Sequence, residues 1–127
     1  RASVMGVMIS SREYERAREV IREGIVSYFE RAGKILPGDY QQEIHLLDQY
    51  RQEGYGKYDK RIEDCIREVY CRDGVALDPV YTAKAFWGMK EYLREKQVKG
   101  KKVLFLHTGG GPLFYDYLTK REKASLL

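Results

Sequence analysis

The sequence predicts an α/β fold, three-layered, around a small and mainly parallel sheet. Three short apolar runs at residues 4–9, 75–77 and 103–106 read as strands, the first as one buried on both faces. Segments of helical periodicity separate them. Parallel pairing needs such crossovers, and helices on both faces of the sheet make three layers.

The first run, Val4-Met5-Gly6-Val7-Met8-Ile9, leads to Ser10, with Glu13 three residues on. That spacing is a capping box. Tyr14, Ala17, Ile21, Ile25 and Phe29 then recur at helical spacing, and Gly33 is a stop. Residues 34–58 are irregular by composition, with a helical turn at Ile44-His45-Leu46-Leu47. Ile62, Cys65, Ile66 and Val69 form the stripe of a second helix that Gly74 ends. Pro79 disfavours helix at Asp78. Thr82 can cap a third helix, whose inner face would be Phe86, Met89 and Leu93. Pro112 suits the first turn of a closing helix.

The chain has 127 residues, the size of one domain, so residues 1–127 are read as a single α/β domain. Hydrophobic residues make up 43 % and charged residues 33 %, the balance of a soluble globular protein. No apolar run is long enough to span a bilayer. The first five residues lack the apolar core of a secretion signal. A cytoplasmic protein without membrane partners is the expectation. The net charge is +4, but Arg and Glu interleave through residues 12–31, which describes solvated helix faces and not a nucleic-acid footprint. Cys65 and Cys71 cannot share a metal from one helix face, so no metal site and two buried, reduced thiols are expected.

Ligands of open α/β sheets bind beyond the carboxyl ends of the strands. Two segments fall there. Asp78-Pro79-Val80-Tyr81-Thr82 follows one strand candidate, and His107-Thr108-Gly109-Gly110-Gly111 follows another. The glycine run can offer backbone N–H groups to an anion, or it can be a plain tight turn. His107 can be a base, or a core histidine held by one hydrogen bond. Lys84 can be a reactive amine, or a first-turn lysine facing solvent.

Gly54-Tyr55-Gly56, Leu77-Asp78-Pro79-Val80-Tyr81-Thr82-Ala83-Lys84-Ala85 and Val103-Leu104-Phe105-Leu106-His107-Thr108-Gly109-Gly110 together resemble one family. Their order and spacing are similar to the C-terminal part of the D-cysteine desulfhydrase and 1-aminocyclopropane-1-carboxylate (ACC) deaminase family. These are fold-type II, tryptophan synthase beta-like enzymes that use pyridoxal 5'-phosphate (PLP). The resemblance covers nearly the whole chain, and the first strand also fits it.

The resemblance implies two catalytic tyrosines, Tyr55 and Tyr81, flanking cofactor and substrate. It implies cofactor contacts from Thr108, at the pyridine nitrogen, and from Gly109 and Thr82. Ring-opening deaminases of the family carry Glu and Leu where this chain has Thr82 and Thr108, so a desulfhydrase-like lyase is implied. Its reaction would be β-elimination from a small amino acid to pyruvate, ammonia and sulfide. Ala83 and Gly111 depart from the family pattern, both toward small residues. The cofactor-bearing lysine and the phosphate loop have no counterpart in these residues, and Lys84 matches a different lysine of the family. The expectation is a piece of an enzyme, inactive alone, completed by an N-terminal portion or a partner chain and homodimeric when intact. A stand-alone α/β interaction module is the other reading.

Overall fold

A computed structural model describes the backbone of residues 3–125 and the side chains of residues 3–122. Arg1 and Ala2, part of the stretch read for a secretion signal, lie outside the described residues. The chain is α/β, with two parallel strands and four α-helices among the described residues. Strand β1, Met5–Val7, pairs with β2, His45–Leu47, in the register Met5–His45, Gly6–Leu46 and Val7–Leu47. Helix α1, Tyr14–Arg31, and a short 3-10 turn, Tyr40–Glu43, form the crossover between them. Helices α2, Lys60–Asp73, α3, Thr82–Glu95, and α4, Gly111–Ser125, follow.

The sheet differs from expectation in its membership. β2 occupies the run expected to be a helical turn, because its partner is supplied 40 residues upstream and not by its own neighbours. Residues 75–77 and 103–106 form no strand. Among the described residues neither has a strand beside it to accept a ladder. Residues 103–106 still alternate: Phe105 is half-buried, while Leu104 and Leu106 are 91 % and 77 % exposed.

The core is built on α2. Ile62, Cys65, Ile66 and Val69 fall on one helical face and are nearly fully buried. Leu77, Ala83, Phe114 and Tyr117 close over them. Each such aliphatic side chain stabilises by about 1.5–3 kcal/mol. Asp59 caps α2 by accepting the Arg61 N–H, and Gly74 ends it in the left-handed conformation at φ 69°. The two cysteines divide: Cys65 is buried and its thiol is pushed up to about 11 by burial, whereas Cys71 is exposed. Cys71 sits on the α2 face opposite the core stripe, which corrects the expectation of two buried thiols.

Helix α3 also differs from expectation at its inner face. Phe86, Met89 and Leu93 are only half-buried, and the deepest positions are Thr82, Ala83, Lys84 and Gly88. Small residues let α3 approach β1 closely. A Cβ on Gly88 would stand 2.8 Å from Val7 Cγ1 and 3.0 Å from Tyr50 Cβ. Gly88→Ala gains about 1 kcal/mol of helix propensity but forces an overlap costing about 1–3 kcal/mol. The expected outcome is a net loss, read as a lower urea midpoint. A raised midpoint would show that Val7 and Tyr50 yield freely.

Helix α1 is the outlier, because it buries none of its 18 residues. Its expected stripe exists as periodicity, yet Ile21 is 37 % exposed. The Ser10–Glu13 capping box does not form: Glu13 holds the N-cap position without a side-chain cap. Ser10 Oγ instead accepts the Arg12 N–H at 3.5 Å. The interleaved charges pair along the surface, as in Arg22–Glu19 at 2.5 Å.

Candidate functional site

The segment that enters α3 is organised by one buried carboxylate. Asp78 is fully buried. Its Oδ1 accepts the N–H groups of Val80 at 2.9 Å and Tyr81 at 2.8 Å. Its Oδ2 accepts the Thr82 N–H at 3.0 Å and the Thr82 hydroxyl at 2.7 Å. Thr82 Oγ1 in turn accepts the Asp78 N–H at 2.8 Å. Pro79 fixes the turn between them and brings no N–H needing a partner. The open N–H groups of a helix start are thus satisfied by a side chain four residues upstream. Asp78, not Thr82, caps α3, which corrects the capping role expected of Thr82. The Thr82 hydroxyl, expected to contact a cofactor, is buried and committed in both directions to Asp78.

Tyr81 stands at the N-cap position of α3, with its backbone held by Asp78. Its ring points outward and is 38 % exposed. Its hydroxyl lies 2.5 Å from that of Tyr55, and the two rings meet edge to face at 5.7 Å. The bond to Tyr55 holds the Tyr81 phenol above its ordinary pKa, with partial burial adding to the shift. Tyr55 rides on a loop whose flanking glycines adopt φ 111° at Gly54 and φ 71° at Gly56. Those values lie where a side chain would strain the backbone.

The amine of Lys84 donates to the Gly54 carbonyl from beneath this loop. Lys84 is fully buried, and burial pulls its amine below the ordinary lysine pKa. Of the two readings of Lys84 left open by the sequence, the solvent-facing one is therefore overturned. The helix turns this first-turn position inward, where the loop supplies a carbonyl.

The glycine run is pinned to the same segment. His107 Nδ1 accepts the Gly109 N–H at 3.2 Å, so the proton sits on Nε2, which donates to the Ala76 carbonyl at 2.9 Å. His107 is exposed and is not a core histidine. Gly110, at φ 93°, backs onto Asp78 so closely that a Cβ there would overlap the carboxylate. Thr108 and Gly109 are left on the exposed side of this loop. The Thr108 hydroxyl has no hydrogen-bond partner among the described residues. Nothing stands within 4 Å of the place a Gly109 Cβ would take, so a ligand can reach that backbone.

The structure thus brings Tyr55 and Tyr81 into contact, and sets Thr108 and Gly109 on a loop fastened to the same helix start. It puts Thr82 beneath them. Asp78 and Lys84 organise the site, a role the sequence reading did not give to either. An Asp four residues ahead of a Thr at a helix start was the available signal for Asp78. Away from this site, a cleft of about 330 Å³ lies between α2 and α4 and is lined by Ile66, Tyr70, Phe114 and Leu118 among others. Among the described residues no group of three His, Cys, Asp or Glu side chains could hold a metal. None of the described helices is long and apolar enough to cross a membrane.

No family model matches the chain. It is 35 % identical over 115 residues to a putative ACC deaminase of Pyrococcus abyssi, covering 91 % of this chain and 33 % of that one. It is 37 % identical over 76 residues to a D-cysteine desulfhydrase of Salmonella newport, covering 59 % of this chain and 23 % of that one. A crystal structure of an ACC deaminase homologue superimposes with a TM-score of 0.76 at 34 % identity, covering 97 % of this chain and 35 % of the other. The chain spans about a third of the length of the curated relative it matches over most of its own residues. Matching in sequence, and in the α/β fold that positions these loops, the chain belongs to the D-cysteine desulfhydrase and ACC deaminase family and corresponds to its C-terminal part.

Proposed function

We propose that these residues supply the acid–base side of a PLP-dependent lyase active site, completed by protein outside the chain. The expected reaction is β-elimination from D-cysteine or a similar small amino acid: with one water, the substrate yields pyruvate, ammonia and hydrogen sulfide. The observation that carries this reading is the meeting of two phenols, 26 residues apart, at the mouth of a helix start. The packing tyrosines of this chain differ: Tyr50 is buried and donates to Glu95, and Tyr117 is buried and accepts from Arg121. Tyr55 and Tyr81 point outward and bond to each other.

The residues present suit one side of the cofactor. Thr108 offers a free hydroxyl to the ring nitrogen, and Gly109 leaves its backbone open to close approach. When bound, the cofactor supplies an electron sink, and a hydroxyl partner keeps that sink weaker than a carboxylate would. Tyr81, held above its ordinary pKa by Tyr55, stays protonated near neutrality. Its Oη is suited to give a proton to the departing sulfur, and Tyr55 Oη to replace it. Thr82 acts from below, by fixing Asp78 and through it the Tyr81 backbone. The intact enzyme is proposed to be a homodimer without nucleic-acid partners.

ACC deaminase activity is the second reading, favoured by the Pyrococcus relative. Assaying a full-length enzyme carrying this sequence separates the two. Sulfide and pyruvate from D-cysteine support the proposal, and 2-oxobutanoate from ACC with no sulfide from D-cysteine overturns it.

The buried Lys84 does not carry the cofactor on this reading. PLP added to the chain and reduced with borohydride should leave Lys84 unmodified in a peptide map. A stoichiometric adduct on Lys84 would reverse that assignment.

A further inference from the structure

The structure assigns Lys84 as the positioning residue that docks the Tyr55 loop onto helix α3 and so makes the tyrosine pair. This rests on the proposed role of that pair and names what assembles it.

Lys84 is a fully buried amine whose hydrogen bond goes to a backbone carbonyl and not to a carboxylate. A buried ammonium is costly unless it is bonded. Such a residue is a poor choice for stability alone, since an apolar side chain would fill the same space without desolvation. The bond's position explains its presence. It reaches Gly54, the residue before Tyr55, from the first turn of the helix that Tyr81 begins. Two links therefore join the same two segments: Lys84 to Gly54 inside, and Tyr81 to Tyr55 outside.

Other bonds anchor the stretch before Tyr55, Arg51 to the Arg12 carbonyl at 3.1 Å and Gln52 to Asp59 at 3.2 Å, but neither reaches helix α3. The loop's internal bonds, Gly54 N–H to the Arg51 carbonyl at 3.2 Å and Lys57 N–H to the Gly54 carbonyl at 3.4 Å, are long and local. The Tyr55 ring is 57 % exposed and gains little from burial. Gly54 and Gly56 give the loop freedom that a tether must remove. A lysine suits the task because its stem crosses the packed helix surface and its head satisfies the carbonyl turned inward.

The test uses the chain itself, with tyrosine labelled at the phenol carbon and titrated by NMR. In the wild type, Tyr55→Phe should lower the Tyr81 midpoint toward the ordinary phenol value of about 10. In Lys84→Met, which keeps the stem and removes the donor, Tyr81 should already titrate there, and adding Tyr55→Phe should change nothing. Lys84→Arg, which keeps a donor, should retain part of the coupling. If Tyr81 in Lys84→Met still responds to Tyr55→Phe as in the wild type, the assignment is overturned. A second measurement avoids any folding failure of the variants: the wild-type Lys84 amine should show a through-bond coupling to the Gly54 carbonyl carbon. Absence of that coupling with freely exchanging amine protons also overturns the assignment. These readouts need no turnover, so they can fail while the lyase reading stands, or stand while it fails.

Discussion

Tyr81→Phe in a full-length enzyme carrying this sequence is expected to lower turnover about tenfold to ten-thousandfold, the range for a positioned proton donor. Tyr55→Phe should fall in the same range and lower the Tyr81 pKa as well. Only an oxygen is lost from rings that are 38 % and 57 % exposed, so the fold and the circular dichroism should not change. The mount is rigid at Tyr81, where Asp78 fixes the backbone, so the ring of the variant stays in place. The check is sulfide and pyruvate release from D-cysteine. Turnover within about twofold of wild type for both variants would leave the phenols as packing groups.

Asp78→Ala is expected to cost about 3–5 kcal/mol, because removing one buried partner strands the groups that bonded to it. Three N–H groups and the Thr82 hydroxyl lose their acceptor together. The individual bonds would sum to more, but bonds sharing one acceptor are not additive. Against a typical stability of about 5–15 kcal/mol, this is a large fraction. Asp78→Asn keeps one oxygen and should lose less. Urea unfolding followed by helical circular dichroism measures both. A cost below about 1 kcal/mol for Asp78→Ala would mean that the helix start satisfies itself with water.

The helices were readable from the residues because their signals are local. The stripe Ile62, Cys65, Ile66 and Val69 lies within two turns, and Gly74 marks its end. The sheet was not readable in the same way. Ile44-His45-Leu46-Leu47 is too short to separate strand from helical turn, and what decides it is β1, 40 residues away. Residues 103–106 have a strand's alternation without a strand beside them. At the site, Tyr55, Tyr81, Thr108 and Gly109 came from resemblance to the family; periodicity alone would not have singled them out. The contact that Lys84 makes was beyond both, since only the folded loop shows that a carbonyl awaits its amine. Thr82 was legible as a candidate residue, but its hydroxyl serves Asp78, a detail that no spacing rule contains.

The run at residues 103–106, which joins no strand, has a consequence for colloidal behaviour. Leu104 and Leu106, both largely bare, lie in a run that has no strand partner among the described residues, a setting in which another strand can pair. A protein segment that pairs with it and a second molecule of the same chain compete for one set of donors and acceptors. The first is favoured by tethering, whereas the second grows with concentration. Leu104 and Leu106 are therefore the place at which concentration-dependent association of this chain is expected to begin.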